Sequence, residues 1–150
     1  MAFTESTMLP LGTVAPEFTL LDTVSGRRYS LNELKSDQAT VIMFLCNHCP
    51  YVLHVNPEIV RIVEAYEPLG VRFIGISSND AEAYPADSPD KMTQHANEVG
   101  YTFPYLYDET QEVARAYDAA CTPDFYVFDA ALTLVYRGRL DHPHDGNPSR

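Results

Sequence analysis

The sequence predicts an α/β protein with a central mixed sheet flanked by helices. Residues 40–45 form a continuous apolar run of strand length, which is typical of a strand buried on both faces. From Cys49 onward, apolar residues recur at three- and four-residue steps, which indicates a helix. Strand-like and helix-like segments then alternate in the order β-α-β-α-β-α-β-β. This order favours a mostly parallel sheet with helices on both faces and an antiparallel hairpin at its end.

Length and composition bound the protein class. The chain has 150 residues, so a single domain over residues 1–150 is expected. Apolar residues make up 45% and charged residues 21%, which excludes disordered and fibrous classes. The net charge of −11 disfavours nucleic acid and anionic membrane surfaces as partners. With no membrane-length apolar run and no basic leader at the N-terminus, the chain is expected in the cytoplasm and not in a membrane.

The N-terminal part predicts short extended elements. Residues 11–18 are extended and interrupted by Pro16, and residues 19–21 suit a short strand. A turn at Ser25 and Gly26 leads to a second strand over residues 27–30. A single helical turn starting at Ser30 or Asn32 follows.

The middle of the chain predicts a long helix between two buried strands. Pro50 is tolerated in the first turn of this helix, Pro57 predicts a kink, and Gly70 ends it. Residues 71–77 form the next strand.

The C-terminal part predicts two helices and three strands. Ser88 and Pro89 suit the start of a helix that runs to Val99. The remaining predicted elements are a strand over 103–107, a helix over 110–117 and a hairpin of strands 125–128 and 134–137. No helical pattern follows Leu140.

The chemistry-bearing motif is Cys46-Asn47-His48-Cys49, at the predicted junction of strand and helix. A helix N-terminus stabilises a thiolate, because it carries partial positive charge and unpaired N–H groups. Cys46 is the expected nucleophile and Cys49 the resolving thiol, and a protonated His48 would stabilise the Cys46 thiolate further. We therefore predict a redox-active disulfide and no other cofactor.

Metal binding is the rival interpretation of the same motif. Zinc or copper could use the two cysteines together with His48, His54, His142 or His144. A second ligand pair with tight spacing is missing from the sequence, so no metal is expected.

The motifs together resemble the thioredoxin superfamily. The resemblance rests on CNHCP at a strand-to-helix junction and on Thr122-Pro123, whose proline is cis in that family. It implies a thioredoxin-like fold in which the loop of Pro123 packs against the disulfide and helps to hold the substrate. Thioredoxin-like domains end in a helix that covers one sheet face, and this helix is not visible here. An uncovered apolar face would favour homo-oligomers.

A narrower resemblance is to the peroxiredoxin-like, or redoxin, proteins, related to the TlpA-like, ResA-like and AhpC-TSA branch. It rests on "FLCNHCPYV", "FPYLYDETQEVARAY" and "ACTPDFYVFD", and on "GTVAPEFTL", which resembles the N-terminal hairpin of that branch. The segment 104–117 matches its inserted βα unit. The resemblance implies an antioxidant or thiol-disulfide oxidoreductase that uses protein disulfides or dithiols and a thiol reductant.

Departures from the family patterns separate the activities. Peroxiredoxins need P-x-x-x-[TS]-x-x-C, but with Cys46 as the reactive cysteine Gln38 and Met43 occupy the Pro and Thr positions. With Cys49 in that role, the two positions hold Ile42 and Cys46, so peroxidase activity is the alternative and not the leading function. Thr40 replaces the buried acid of thioredoxin.

Cys121 is a further redox candidate. It lies two residues before Pro123, so we hypothesise a switchable disulfide with Cys46. The alternative is a small buried side chain without a redox role.

Overall fold

The computed structural model describes residues 9–45, 50–78, 88–119 and 124–138. Each predicted strand and helix has a counterpart there, although the helix predicted over 110–117 is limited to five residues. The strands are β1 (Thr19–Asp22), β2 (Arg28–Ser30), β3 (Ala39–Phe44), β4 (Val71–Ser77), β5 (Tyr105–Tyr107), β6 (Asp124–Asp129) and β7 (Leu134–Gly138). The helices are α1 (Leu31–Leu34), α2 (Pro50–Tyr66), α3 (Pro89–Val99) and α4 (Glu112–Ala116), and a 3-10 turn over Glu67–Leu69 follows α2.

The seven described strands form one mixed sheet in the order β2-β1-β5-β4-β3-β6-β7. The expectation of a mostly parallel sheet is wrong, because only the β3–β4 and β4–β5 pairs are parallel and the other four described pairs are antiparallel. Parallel pairing needs a helical crossover, which only α2 and α3 supply between neighbouring strands. The hairpins at both ends of the sheet add the antiparallel pairs.

Two apolar clusters cover the two sheet faces. On one face, α2 and α3 bury Val55, Ile59 and Met92 against Met43 and Phe73. The other face carries an aromatic cluster under α1, α4 and the extended N-terminal segment, formed by Phe18, Phe44, Tyr117, Tyr126 and Phe128. Both faces of β3 are therefore buried, as its continuous apolar sequence predicts.

Local signals in the sequence fix the helix ends. Ser30 and Glu33 form a reciprocal capping box at α1, and the Ser88 side chain accepts from the backbone N–H of Lys91 at α3. Gly100 ends α3 at a φ of 93°, and Gly70 ends the turn after α2 at 98°, where a side chain would be strained. None of the helices in the described ranges is long and apolar enough to cross a membrane.

Candidate redox site

The junction between β3 and α2 lies where the sequence predicts it. β3 ends at Phe44, Leu45 is fully buried, and α2 begins at Pro50. Cys46, Asn47, His48 and Cys49 lie outside the described residues, so their roles stay predictions. The structure shows the two elements that this four-residue segment connects.

A second predicted segment joins the sheet beside the first. Phe44 pairs with Asp124, the first residue of β6, across the antiparallel β3–β6 ladder. Cys121, Thr122 and Pro123 directly precede Asp124 and lie outside the described residues. The two segments with predicted redox roles therefore attach to paired positions on neighbouring strands, although their own geometry stays a prediction.

Hydrogen bonds tie the ends of the three parallel strands together at this edge. The N–H of Leu45 donates to the carbonyl of Ile76 at 2.8 Å, and the N–H of Asp108 donates to the carbonyl of Ser77 at 2.8 Å. The carboxyl ends of parallel strands meet at one edge, which is where α/β proteins place their sites. The predicted redox motif thus follows a strand end that backbone hydrogen bonds join to its neighbours.

Asp108 organises the polar groups at this edge. Its carboxylate is 1% exposed and accepts from the Ser78 hydroxyl at 2.8 Å and from the N–H groups of Val113 and Ala114 at 3.3 and 2.9 Å. Three hydrogen bonds offset the cost of burying a carboxylate. Asp108 therefore satisfies two N–H groups in the first turn of α4 and holds the Ser78 side chain directly after β4.

Ser77 differs from its neighbours at the edge. Its side chain is fully buried, and its hydroxyl has no hydrogen-bond partner among the described residues. A buried unpaired hydroxyl typically costs about 1–3 kcal/mol. The sequence analysis missed Ser77, because a serine at a strand end gives no signal of burial.

Thr40 stands where thioredoxin has its buried acidic residue, and here it has a structural role. Its side chain is fully buried, and its hydroxyl accepts from the backbone N–H of Ser36 at 2.9 Å. This bond fixes the turn that leads into β3. Thr40 supplies no carboxylate, so any assistance to a thiol at the redox site must come from another group.

The N-terminus of α2 is suited to stabilise an anion. No acidic residue occupies its first turn, so no side-chain carboxylate there competes for the positive end of the helix dipole. The helix extends over 17 residues and continues through Pro57. The partial positive charge thus lies at the helix end that directly follows the two predicted redox cysteines in the sequence.

A polar network holds α2 against α3. Asn56 is 3% exposed, and its side chain accepts from the Tyr101 hydroxyl at 2.5 Å and lies 3.2 Å from Nε2 of His95. Burial raises the pKa of Tyr101 well above its ordinary value, and the Asn56 hydrogen bond partly opposes this. The one signal in the sequence was a polar residue inside the apolar pattern of α2.

An apolar groove runs between α2 and the sheet. Its volume is about 330 Å³, and aliphatic and aromatic side chains line it. The lining residues are Ala39, Val41, Met43, Ile59, Ile62, Val63, Tyr66, Val71, Phe73, Phe125, Val127 and Tyr136. The sequence analysis expected an uncovered apolar face, and the described residues leave this groove open.

The described residues contain no group of three or more His, Cys, Asp or Glu side chains that could hold a metal. His54 is exposed on α2, and the other ligands proposed for zinc or copper lie outside the described residues. The metal alternative is therefore untested.

Comparison with solved structures shows the fold class of this chain. The chain superposes on the thioredoxin domain of a thiol-disulfide oxidoreductase from Bacteroides vulgatus with a TM-score of 0.73, at 20% identity, covering 86% of this chain and 88% of that one. A conserved protein of Geobacillus kaustophilus is more similar, with a TM-score of 0.91 at 60% identity, covering 94% of this chain and 76% of that one. The predicted thioredoxin-like fold is confirmed.

Comparison of the sequence with known protein families shows the family to which this chain belongs. The AhpC/TSA family matches residues 11–137, and the chain belongs to this family. Among curated proteins, the thiol-disulfide oxidoreductase ResA of Geobacillus thermodenitrificans is 24% identical over 127 residues, which span 85% of this chain and 68% of that protein. The predicted relationship to the ResA-like and AhpC-TSA branch is confirmed.

Proposed function

We propose that this protein is a thiol-disulfide oxidoreductase with Cys46 and Cys49 as its dithiol/disulfide pair. The observation that carries the proposal is the junction of the buried strand β3 with the N-terminus of α2, into which the four-residue motif is inserted. Membership of the AhpC/TSA family and the activity of the ResA relative support the same enzyme class.

The reaction is a two-electron exchange. The Cys46 thiolate attacks one sulfur of a client disulfide, so that a mixed disulfide forms and the other client sulfur leaves as a thiolate. The Cys49 thiolate then attacks the Cys46 sulfur, which forms the Cys46–Cys49 disulfide and releases the second client thiolate. The client disulfide is reduced to two thiols and the protein dithiol is oxidised, and a thiol reductant restores the dithiol.

The proposed substrates are protein disulfides or dithiols. His48 tunes the thiolate of Cys46, and Asn47, Thr122 and Pro123 position the client. The disulfide is the only redox group that this reaction needs. The cytoplasm and the homo-oligomer stay predictions from the sequence.

Insulin reduction by dithiothreitol tests the proposal. The wild-type protein should accelerate insulin precipitation, and Cys46→Ser should abolish the acceleration. Cys121→Ser removes the third cysteine while it keeps the proposed pair, so it separates the role of that pair from the hypothesised Cys46–Cys121 disulfide. A Cys46→Ser protein as active as wild type would overturn the assignment of the nucleophile.

Thiol peroxidase activity is a second candidate, favoured by membership of the AhpC/TSA family. One observation opposes it: Met43 stands at the hydroxyl position of the peroxidase motif and is buried at 1% exposure in the apolar cluster under α2. A thioether cannot donate a hydrogen bond to peroxide. Consumption of hydrogen peroxide coupled to a thioredoxin system, lost in Cys46→Ser, would support the peroxidase instead.

A further inference from the structure

We propose that His95 and Asn56 form a proton-operated switch between α2 and α3, in which the observed hydrogen bonds need a neutral His95 and protonation of its ring disrupts them. The switch consists of Asn56 on α2, His95 on α3 and Tyr101, which lies just beyond the end of α3. All three residues belong to the described parts of the chain, and their contacts are observed. The inference does not depend on the proposed function.

The hydrogen bond from Tyr101 fixes the orientation of the Asn56 amide. The Tyr101 hydroxyl donates to Oδ1 of Asn56 at 2.5 Å. The amide nitrogen Nδ2 lies on the other side of the amide group, 3.2 Å from Nε2 of His95. Because an amide nitrogen donates and does not accept, Nε2 must be the acceptor and carries no proton. His95 is therefore neutral in this arrangement, with its proton on Nδ1.

A proton on Nε2 of His95 would place two donors against each other, because Nε2–H and Nδ2–H of Asn56 would then meet. The Asn56 amide can turn over so that Oδ1 accepts from Nε2–H, but the Tyr101 hydroxyl then faces Nδ2 and loses its acceptor. Nε2 of His95, 3.5 Å from that hydroxyl, cannot accept once it is protonated. Asn56 is 3% exposed, so water is not at hand to replace the lost bond. Protonation thus leaves a buried donor of this network unpaired in either orientation of the amide.

The charged and titratable neighbours of His95 among the described residues come from its own helix and from Tyr101. Lys91 and Glu98 stand one turn before and one turn after His95 on α3, and their opposite charges act on the ring in opposite directions. The α2 positions one turn from Asn56, at 52, 53, 59 and 60, are all apolar in the sequence. Burial raises the pKa of Tyr101 well above its ordinary value, so this hydroxyl keeps its proton in the pH range where histidine titrates.

The switch couples the contact between α2 and α3 to pH. A histidine in an unfolded chain takes up its proton near pH 6.5, whereas the network resists a proton on His95 in the folded chain. The stabilisation from the network is therefore complete above about pH 6.5 and is lost as the pH falls below it, because unfolding then takes up a proton. The helix released from α3 at low pH is α2.

Nuclear magnetic resonance of the whole protein tests the switch at its proton. At pH 7.5, Nε2 of His95 should show the nitrogen shift of an unprotonated ring atom. The midpoint of the His95 titration should lie roughly half to one pH unit lower in the folded protein than in the urea-denatured protein. A proton on Nε2 at pH 7.5, or a midpoint that is not lowered by folding, would overturn the inference.

Tyr101→Phe separates the switch from simple packing. The substitution keeps the ring, which packs against His95 and Phe103, but removes the hydroxyl that orients the Asn56 amide. The amide is then able to turn toward a protonated His95, so the His95 midpoint should rise toward its value in the denatured protein. A midpoint unchanged by Tyr101→Phe would contradict the coupling between the three side chains.

Urea denaturation at pH 7.5 and pH 5.5 tests the effect on the fold. The increase in the unfolding equilibrium constant between the two pH values should be roughly three- to tenfold larger in the wild-type protein than in His95→Gln. Glutamine offers Asn56 an acceptor but takes up no proton in this range. His54→Gln, which removes an exposed histidine of α2, is the matched control and should keep the wild-type increase. Equal increases in the wild-type protein and His95→Gln would count against the switch.

Discussion

At the scale of single residues, Gly75 shows how strictly the core is packed. Gly75 lies in the middle of β4, and a Cβ added there would come within 2.7 Å of a ring carbon of Phe103 and 3.2 Å of one of Tyr105. The glycine therefore lets the two aromatic rings approach the sheet closely. This requirement arises from a contact between residues distant in sequence, and nothing around Gly75 in the sequence signals it.

Gly75→Ala is accordingly expected to destabilise the fold. Overpacking against two aromatic rings should lower the free energy of unfolding by about 1–3 kcal/mol, measured by urea denaturation. Phe103→Leu introduced with Gly75→Ala should recover part of the loss by relieving the closest contact. A single Gly75→Ala variant as stable as wild type would contradict the close approach of Phe103.

At the scale of elements, the position of α2 depends on its contacts with α3. Asn56 on α2 is hydrogen-bonded to Tyr101, which follows α3, and lies beside His95 on α3. The ring of Tyr101 also packs against His95 and Phe103. This network joins α2 to α3, and the apolar residues Val55 and Ile59 of α2 pack on the sheet beside it.

Asn56→Ala should loosen α2. The substitution removes an acceptor from the Tyr101 hydroxyl in a buried site, which should lower the free energy of unfolding by about 1–3 kcal/mol in urea denaturation. Leu53→Ala, at a position 46% exposed on the same helix, is the matched control and should cost much less. Equal losses for the two variants would argue against the network.

At the scale of the whole molecule, buried tyrosines make the stability of the fold depend on pH in the alkaline range. Burial raises the pKa of Tyr117 far above its ordinary value, and Glu17 and Tyr126 raise it further. The Tyr117 hydroxyl donates to the carbonyl of Pro16 at 2.6 Å, and its ring packs against Phe44 and Tyr126. One side chain thus joins the N-terminal segment to the central strands.

The free energy of unfolding should fall as pH rises above about 10, where an unfolded chain releases tyrosyl protons that the folded chain retains. Each proton released on unfolding should lower stability by about 1.4 kcal/mol per pH unit. Urea denaturation at pH 8 and pH 10.5 measures this loss, and Tyr117→Phe should make it smaller although the variant starts less stable. Equal losses in both proteins would contradict a protonated, buried Tyr117.

The sequence by itself determined most of the elements. The apolar runs of β3 and β4 predict buried strands, and β4 has its predicted bounds. Ser88 and Gly100 bound α3 as predicted, because capping and left-handed glycine are local properties of a few neighbouring residues. The position of Cys46-Asn47-His48-Cys49 between β3 and α2 also followed from local pattern, as did the relationship to the AhpC/TSA family.

Only the tertiary structure decided the strand order, the predominance of antiparallel pairs and the surroundings of the redox motif. Strand pairing depends on contacts between distant residues, so β6 pairs with β3 across some eighty positions, as in the pair of Phe44 and Asp124. The burial of Ser77 and the hydrogen bond from Tyr101 to Asn56 have the same origin. A residue type shows what a side chain can bind, but its partners are set when the elements pack together.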